Sequence, residues 1–410
     1  MKRKLIILLF LLLLLLLLPF NCLALEYPNL HYENAIIYDL TNDEVLYELK
    51  SDEVKSIASL TKLMTIITAI ENNTDWSKKI IYNQNMKNNV AWYASVAGFK
   101  VGDILTFDDL LYSAMLPSGA DATVALAIAT SGSLDSFVEK MNLTAKKIGM
   151  KDSNFVNVHG LDEQNHYSTA ADIQKLLVYA LKNPKFKEVY TTKEYTLSTG
   201  QKIKSTIQKQ ADISNIDINK IKGSKTGFTN NAGLCISVLM NHKNHDIVII
   251  TLGAEENPNG IAYNLSDALT LIDFIEKNYN NQTIIKKNKL IKKVVVKNSK
   301  QETYKIKASQ NITAFLENDY KKEKIKVKYS GKQTLSYQEK KGTKIGQLSY
   351  YYDNKLLLKE DVIVTIDIQP SIFKIIKSNI VLIITIFISC IFAIFLFKDH
   401  KNLKRKLSKK

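Results

Sequence analysis

Two short apolar runs near the start of the chain, Ala35 to Asp39 and Val45 to Leu49, are separated by the polar stretch Thr41-Asn42-Asp43-Glu44. That pattern predicts a β-hairpin. From Ser59 the period lengthens: Leu60, Leu63, Met64, Ile67 and Ile70 recur at helical spacing and predict a helix with one buried face. A mostly helical middle follows, dense in alanine over Ala122 to Ala129 and amphipathic over Phe137 to Ile148. Thr169-Ala170-Ala171-Asp172, ahead of Ile173, Leu176 and Leu177, reads as a capping box. Strand patterns return over Lys222 to Gly227, Gly233 to Met240 and Ile247 to Leu252, with turns at Asn230-Asn231 and Lys243-Asn244. A last helix is expected over Leu265 to Tyr279.

Strands at both ends with helices between them require the hairpin and the last three strands to share one sheet. The fold class expected for residues 25–280 is therefore α+β, an antiparallel sheet with a helical insert packed beside it. Residues 281–370 differ. They carry short Val/Ile/Tyr runs, turn residues at Gly331 and Asn354, and no helical period, which predicts a small all-β domain of sandwich type.

The two ends of the chain belong to neither core. Lys2, Arg3 and Lys4 precede fourteen unbroken apolar residues, Leu5 to Leu18, then Pro19 and the small-residue site around Ala24. This is the pattern of a signal peptide over residues 1–24, with an uncleaved anchor as the alternative. A juxtamembrane stretch, 371–379, leads into Ile380 to Phe397, eighteen apolar residues without a charge, long enough for a membrane span. The tail 398–410 carries seven cations, which places it in the cytoplasm and everything between the two ends outside.

Charge sharpens the division. The chain carries a formal +16, of which residues 281–370 hold +11 while 25–280 sum to −6. The high pI suggests nucleic acid, but export and anchoring exclude it and favour anionic headgroups or wall polymers. In the exported part Cys235 stands alone, so packing rather than an intrachain disulfide must stabilise it.

Three short motifs carry the chemistry, in the order Ser59-Leu60-Thr61-Lys62, Ser118-Gly119-Ala120 and Lys225-Thr226-Gly227. Ser59 and Lys62 stand three apart at a helix start and so share a face. A serine hydroxyl needs a base, and lysine serves only when neutral, which burial and a second cation such as Lys225 favour. The helix N-terminus adds N–H groups suited to an oxyanion. The hydroxyl of Ser118 is placed to relay a proton to a leaving amine. Lys225 and Thr226 suit a substrate carboxylate, and Gly227 leaves room for a substrate backbone. Taken singly, each has an ordinary explanation: a surface pair on a helix, a helix N-cap, an edge-strand lysine. A second Ser-x-x-Lys, Ser371 to Lys374, stands beside the hydrophobic segment. Together and in order, the three motifs define a serine acyl-transfer enzyme.

These residues, with His159-Gly160-Leu161 and His166-Tyr167-Ser168-Thr169-Ala170, make the chain similar to the penicillin-binding D-alanyl-D-alanine carboxypeptidases, the low-molecular-weight group with a serine β-lactamase-like fold. The likeness covers most of residues 30–370, and its all-β part ends in Gly346-Gln347-Leu348-Ser349-Tyr350-Tyr351-Tyr352. It implies removal of the terminal D-alanine from peptidoglycan stem peptides, with β-lactams as covalent inhibitors and without a cofactor. It also implies acylation of Ser59, Lys62 as base, Ser118 as proton relay, and Lys225 with Thr226 on the substrate carboxylate. The N–H groups of Ser59 and Phe228 would form the oxyanion hole. The chain departs from the pattern at Ala120, where the family usually has Asn. It has arginine only at Arg3 and Arg405, where relatives often place one near Asn264. Its expected anchor spans the membrane, where many relatives use an amphipathic helix lying on it.

Two rival classes fit parts of the pattern. A β-lactamase would add a deacylating glutamate, and no clear Glu-x-x-x-Asn loop stands between Ser118 and Lys225. A non-catalytic membrane-bound penicillin- or muropeptide-binding protein would keep the fold without turnover, but Ser59, Lys62 and Lys225 are all intact. His159, His166, His242 and His245 raise a zinc reading, but His242 and His245 flank a turn without a convincing carboxylate partner and the resemblance accounts for the loop of His159 and His166, so no metal is expected.

Overall fold

The computed structural model describes residues 27–257 and 262–407, giving the backbone alone at 399 and 402–407. The signal segment expected over 1–24 and the last cations, Lys409 and Lys410, lie outside the described residues. The chain forms two compact units, the second starting at Tyr279.

In the first unit, β1 (Asn34–Asp39) is buried at every position and is hydrogen-bonded on both sides. One neighbour is β2 (Glu44–Leu49), across the predicted hairpin. Three later strands complete the sheet: β3 (Gly223–Thr229), β4 (Gly233–His242) and β5 (His245–Ala254). The order is β2-β1-β5-β4-β3, all antiparallel. Ala35 pairs with Thr251, so the two ends of the unit are stitched together, as the strand–helix–strand pattern requires.

The helical layer is centred on α1 (Thr61–Glu71). The sequence predicts one buried face, but every residue from Thr61 to Ile70 is buried, because this helix runs through the middle of the insert rather than along its surface. Its interior Thr65 is satisfied from elsewhere in the fold, its Oγ1 donating to the Val158 carbonyl at 2.7 Å. Around it stand α2 (Phe107–Met115), α3 (Ala120–Ser131), α4 (Leu134–Ile148) and α5 (Ala170–Ala180). The two-way capping box is at Thr106 and Asp109, at the start of α2. At α5 only half of the expected box forms. Thr169 Oγ1 accepts from Asp172 N, while the Asp172 carboxylate receives Asp152 N at 2.8 Å and Ser153 Oγ at 2.7 Å. A tertiary partner has outcompeted the local one. Beyond α5, α6 (Thr206–Ser214) leads into β3, and α7 (Tyr263–Asn278) ends one residue before the expected Tyr279, which begins the next strand.

Within the second unit, residues 279–370 are built of strands around one apolar core containing Ile306, Leu348, Tyr350 and Val364. Asn354 lies in a turn at φ +67°, but Gly331 ends a strand and pairs with Gly346. After these strands, α8 (Ile372–Ser378) is capped by Ser371, whose Oγ accepts from Lys374 N at 3.5 Å. The second Ser-x-x-Lys is therefore a helix cap. The following helix, α9 (Ile380–Leu407), holds a stretch from Ile380 to Lys398 that is long and apolar enough to cross a membrane.

Candidate active site

Ser59 sits in a single 3-10 turn, Ala58–Leu60, immediately ahead of α1. Its neighbour Ala58 is held at φ +46°, an uncommon and costly conformation for a residue with a side chain. One turn on, Lys62 Nζ lies 2.7 Å from Ser59 Oγ and 2.7 Å from the carbonyl oxygen of His159. The lysine is 2 % exposed. Burial drives its pKa down to about 7, only partly opposed by the Asp121 carboxylate. A neutral amine in contact with a serine hydroxyl is what general-base activation needs.

Ser118 lies between α2 and α3 with φ +60°. The N-cap of α3 is Gly119, so Ser118 is free of the capping role it might have had and turns its hydroxyl to Lys225. Lys225 comes from β3, an edge strand, yet it is 1 % exposed. Its Nζ donates to Ser118 Oγ at 2.9 Å and to the Thr226 carbonyl at 2.6 Å. Burial and, secondarily, the charge of Lys62 hold its pKa well below the ordinary lysine value. Its Nζ is thus directed into the site toward Ser118.

Thr226 is paired on its other side. Its Oγ1 lies 2.5 Å from Thr206 Oγ1 at the start of α6, whose N–H donates to Leu116 O, in the turn that carries Ser118. Gly227 is required by a close approach different from the one expected. A Cβ there would meet Ser59 N at 2.8 Å and Ala58 Cβ at 3.0 Å, so the glycine lets β3 pack against the nucleophile's own turn. Phe228 follows on the same strand, partly exposed.

Several contributors were invisible in the three motifs. The Asp121 carboxylate gathers the N–H groups of Ala97, Gly98 and Phe99 at 2.8, 2.9 and 3.2 Å, fixing a loop beside the second motif. At the unusual third position, Ala120 N donates to Ser95 O at 2.7 Å. No amide is supplied there, and Lys62 Nζ donates its second hydrogen bond to His159 O. Asn264, near where relatives place an arginine, is 1 % exposed and its side chain donates inward to Cys235 O at 3.2 Å. His159 and His166 belong to the loop over the nucleophile turn. His166 is buried and His159 half-buried, and desolvation lowers the pKa of His159 to about 3 and that of His166 to about 4.

A serine in contact with a buried lysine between a helical layer and an antiparallel sheet, with a second serine bonded to a buried lysine of the facing strand, defines a serine acyl-transferase of the penicillin-recognising fold. The comparisons narrow this. Residues 23–256 match the D-alanyl-D-alanine carboxypeptidase peptidase family and 279–370 the penicillin-binding protein 5 C-terminal domain. The chain belongs to the D-alanyl-D-alanine carboxypeptidase family. It is 27% identical over 353 residues to D-alanyl-D-alanine carboxypeptidase DacF of Bacillus subtilis, covering 83% of this chain and 87% of that one. Penicillin binding protein 5 from Haemophilus influenzae shares the fold, with a TM-score of 0.60 at 23% identity over 84% of this chain and 100% of that one. Penicillin binding protein 6B from Escherichia coli does so with a TM-score of 0.61 at 23% identity, over 84% and 98%.

Proposed function

We propose that this chain is a serine D-alanyl-D-alanine carboxypeptidase that removes the terminal D-alanine from peptidoglycan stem peptides. The observation that carries the reading is the buried, neutral-leaning Lys62 amine 2.7 Å from Ser59 Oγ. Lys62 takes the hydroxyl proton as Oγ bonds to the carbonyl carbon of the penultimate D-alanine. The N–H groups of Ser59 and Phe228 receive the developing oxyanion. Collapse breaks the peptide C–N bond, and the proton that Lys62 took passes by way of the Ser118 hydroxyl, held by Lys225, to the departing amine, leaving Lys62 neutral again. Water then attacks the ester, its proton leaving by the same base, and frees the shortened peptide. Thr226, backed by Thr206, addresses the substrate's terminal carboxylate. A β-lactam enters the same sequence and stops at the ester.

The apolar stretch Ile380–Lys398 is the membrane anchor in this reading, with the cations that follow it on the cytoplasmic side and the catalytic unit outside. Nineteen residues of helix span about 28 Å, close to the hydrocarbon thickness.

The test is direct. The purified protein is incubated with a peptide ending in D-Ala-D-Ala and with fluorescent penicillin, and D-alanine release and labelling are followed by mass. Both are expected, and both vanish in Ser59→Ala. Retained hydrolysis in that variant ends the proposal.

A further inference from the structure

The nucleophile's peptide bond has two poles. Its N–H is that of Ser59, and its carbonyl is that of Ala58, on opposite sides of one trans peptide plane. Whatever fixes the Ala58 oxygen therefore fixes where the Ser59 N–H points. Three contacts fix that oxygen. Thr61 N–H returns to it within the 3-10 turn. Thr61 Oγ1 donates to it at 2.8 Å, inside the protein. Gly160, at φ +85°, lies so close over it that a Cβ at this glycine would stand 2.0 Å from the oxygen.

The Thr61 hydroxyl is in turn held by His166 Nε2 at 2.7 Å. Direction along this chain follows from its far end. Val156 N–H donates to His166 Nδ1 at 3.2 Å, so Nδ1 is the unprotonated nitrogen and the proton is on Nε2. Hydrogen bonds then run one way, from Val156 N–H through the imidazole and the Thr61 hydroxyl to Ala58 O. His166 is 5 % exposed and its low pKa, set by burial, keeps this neutral tautomer in place. The arrangement matters because Ala58 is in the left-handed region at φ +46°. Rotation of the Ala58–Ser59 plane would turn the serine N–H inward and put a carbonyl oxygen where negative charge must develop.

We propose that His166 is a positioning residue for acyl transfer, holding the Ala58–Ser59 peptide through Thr61 so that the Ser59 N–H faces the reacting carbonyl. This rests on the carboxypeptidase reading. His166 touches no reacting atom; it acts through Thr61, and nothing in the three motifs calls for it.

Thr61→Val, His166→Ala, their double variant and His166→Gln test it. A glutamine amide keeps one donor and one acceptor, so His166→Gln recovers most of the loss seen in His166→Ala. Thr61→Val and His166→Ala are expected to lower kcat at least tenfold with KM within about twofold, because the oxyanion donor counts in the transition state. Affinity for a peptide boronate, whose tetrahedral adduct places an oxygen in the hole, falls in parallel. The double variant loses no more than the worse single one, since both break one chain. Additive losses, a rise in KM at unchanged kcat, or full activity in Thr61→Val and His166→Ala would overturn the clamp. Failure of the parent enzyme to acylate at Ser59 would instead sink the peptidase reading, and the clamp with it.

Discussion

Lys225 Nζ donates to Ser118 Oγ at 2.9 Å, so the lysine of the third motif is coupled to the serine of the second. Both side chains are buried, and the amine also donates to the Thr226 carbonyl. An amine placed this way, able to lose its proton, takes part in proton transfer more readily than it reads a distant carboxylate. Lys225→Met is accordingly expected to lower kcat by about a hundredfold or more, the usual scale for losing a proton carrier. KM should stay within about threefold, and Lys225→Arg should not rescue, since a guanidinium stays charged. Steady-state kinetics on a D-Ala-D-Ala peptide decide it. A raised KM at constant kcat would put Lys225 on the substrate carboxylate instead.

Thr206 is expected to matter for binding. Its hydroxyl lies 2.5 Å from that of Thr226, and two such groups can pass only one proton between them, leaving the other for a carboxylate. Thr206→Val should raise KM about tenfold, the worth of one hydrogen bond to a charged group, with kcat little changed. Equal KM values for peptides with a free and an amidated C-terminus in both proteins would contradict this assignment.

The pH dependence follows from Lys62. Its folded pKa is about 7, and only the neutral amine can accept the serine proton. The acylation rate with penicillin should rise about tenfold per pH unit below this value and level off above it. A flat profile from pH 5 to 8 would mean that another group is the base.

The same burial costs stability. Below pH 7 Lys62 is charged in both folded and unfolded chains, and the folded chain bears the full desolvation penalty. Between about 7 and the ordinary 10.5 the unfolded chain still holds a proton that the folded one lacks, so stability rises with pH across this window. Lys62→Met should therefore melt above the parent at pH 6, with the gap narrowing toward pH 10, as read by thermal denaturation. A gap that widens with pH would refute the argument.

Gly160 is the position least able to accept a side chain. At φ +85°, with a Cβ landing 2.0 Å from Ala58 O, Gly160→Ala must shift either its own loop or the nucleophile turn. A loss of about 2 kcal/mol or more is expected from strain and overpacking together. Denaturant unfolding measures it, and penicillin labelling should fall with it. A variant as stable and as reactive as the parent would contradict the packing described.

Much of this protein was legible along the chain. Short apolar runs over Ala35 to Asp39 and Ile247 to Leu252 marked strands, the spacing of Leu60, Leu63 and Met64 marked a helix, and Ser59 with Lys62 fell on one helical face because a turn is about 3.6 residues. Those are local consequences of period and residue type, and a single strand of text holds them. What no local pattern could supply is which groups meet across 97, 105 or 107 positions: Lys62 with His159 O, Thr61 with His166, Lys225 with Ser118. The pKa of Lys62, the inward aim of Lys225 and the need for Gly227 against Ser59 N all arise only once sheet and helices close over one another. Burial, and the polar partners burial forces on each group, belong to the packed molecule, so the chain named the reactive residues and tertiary contact set their protonation and direction.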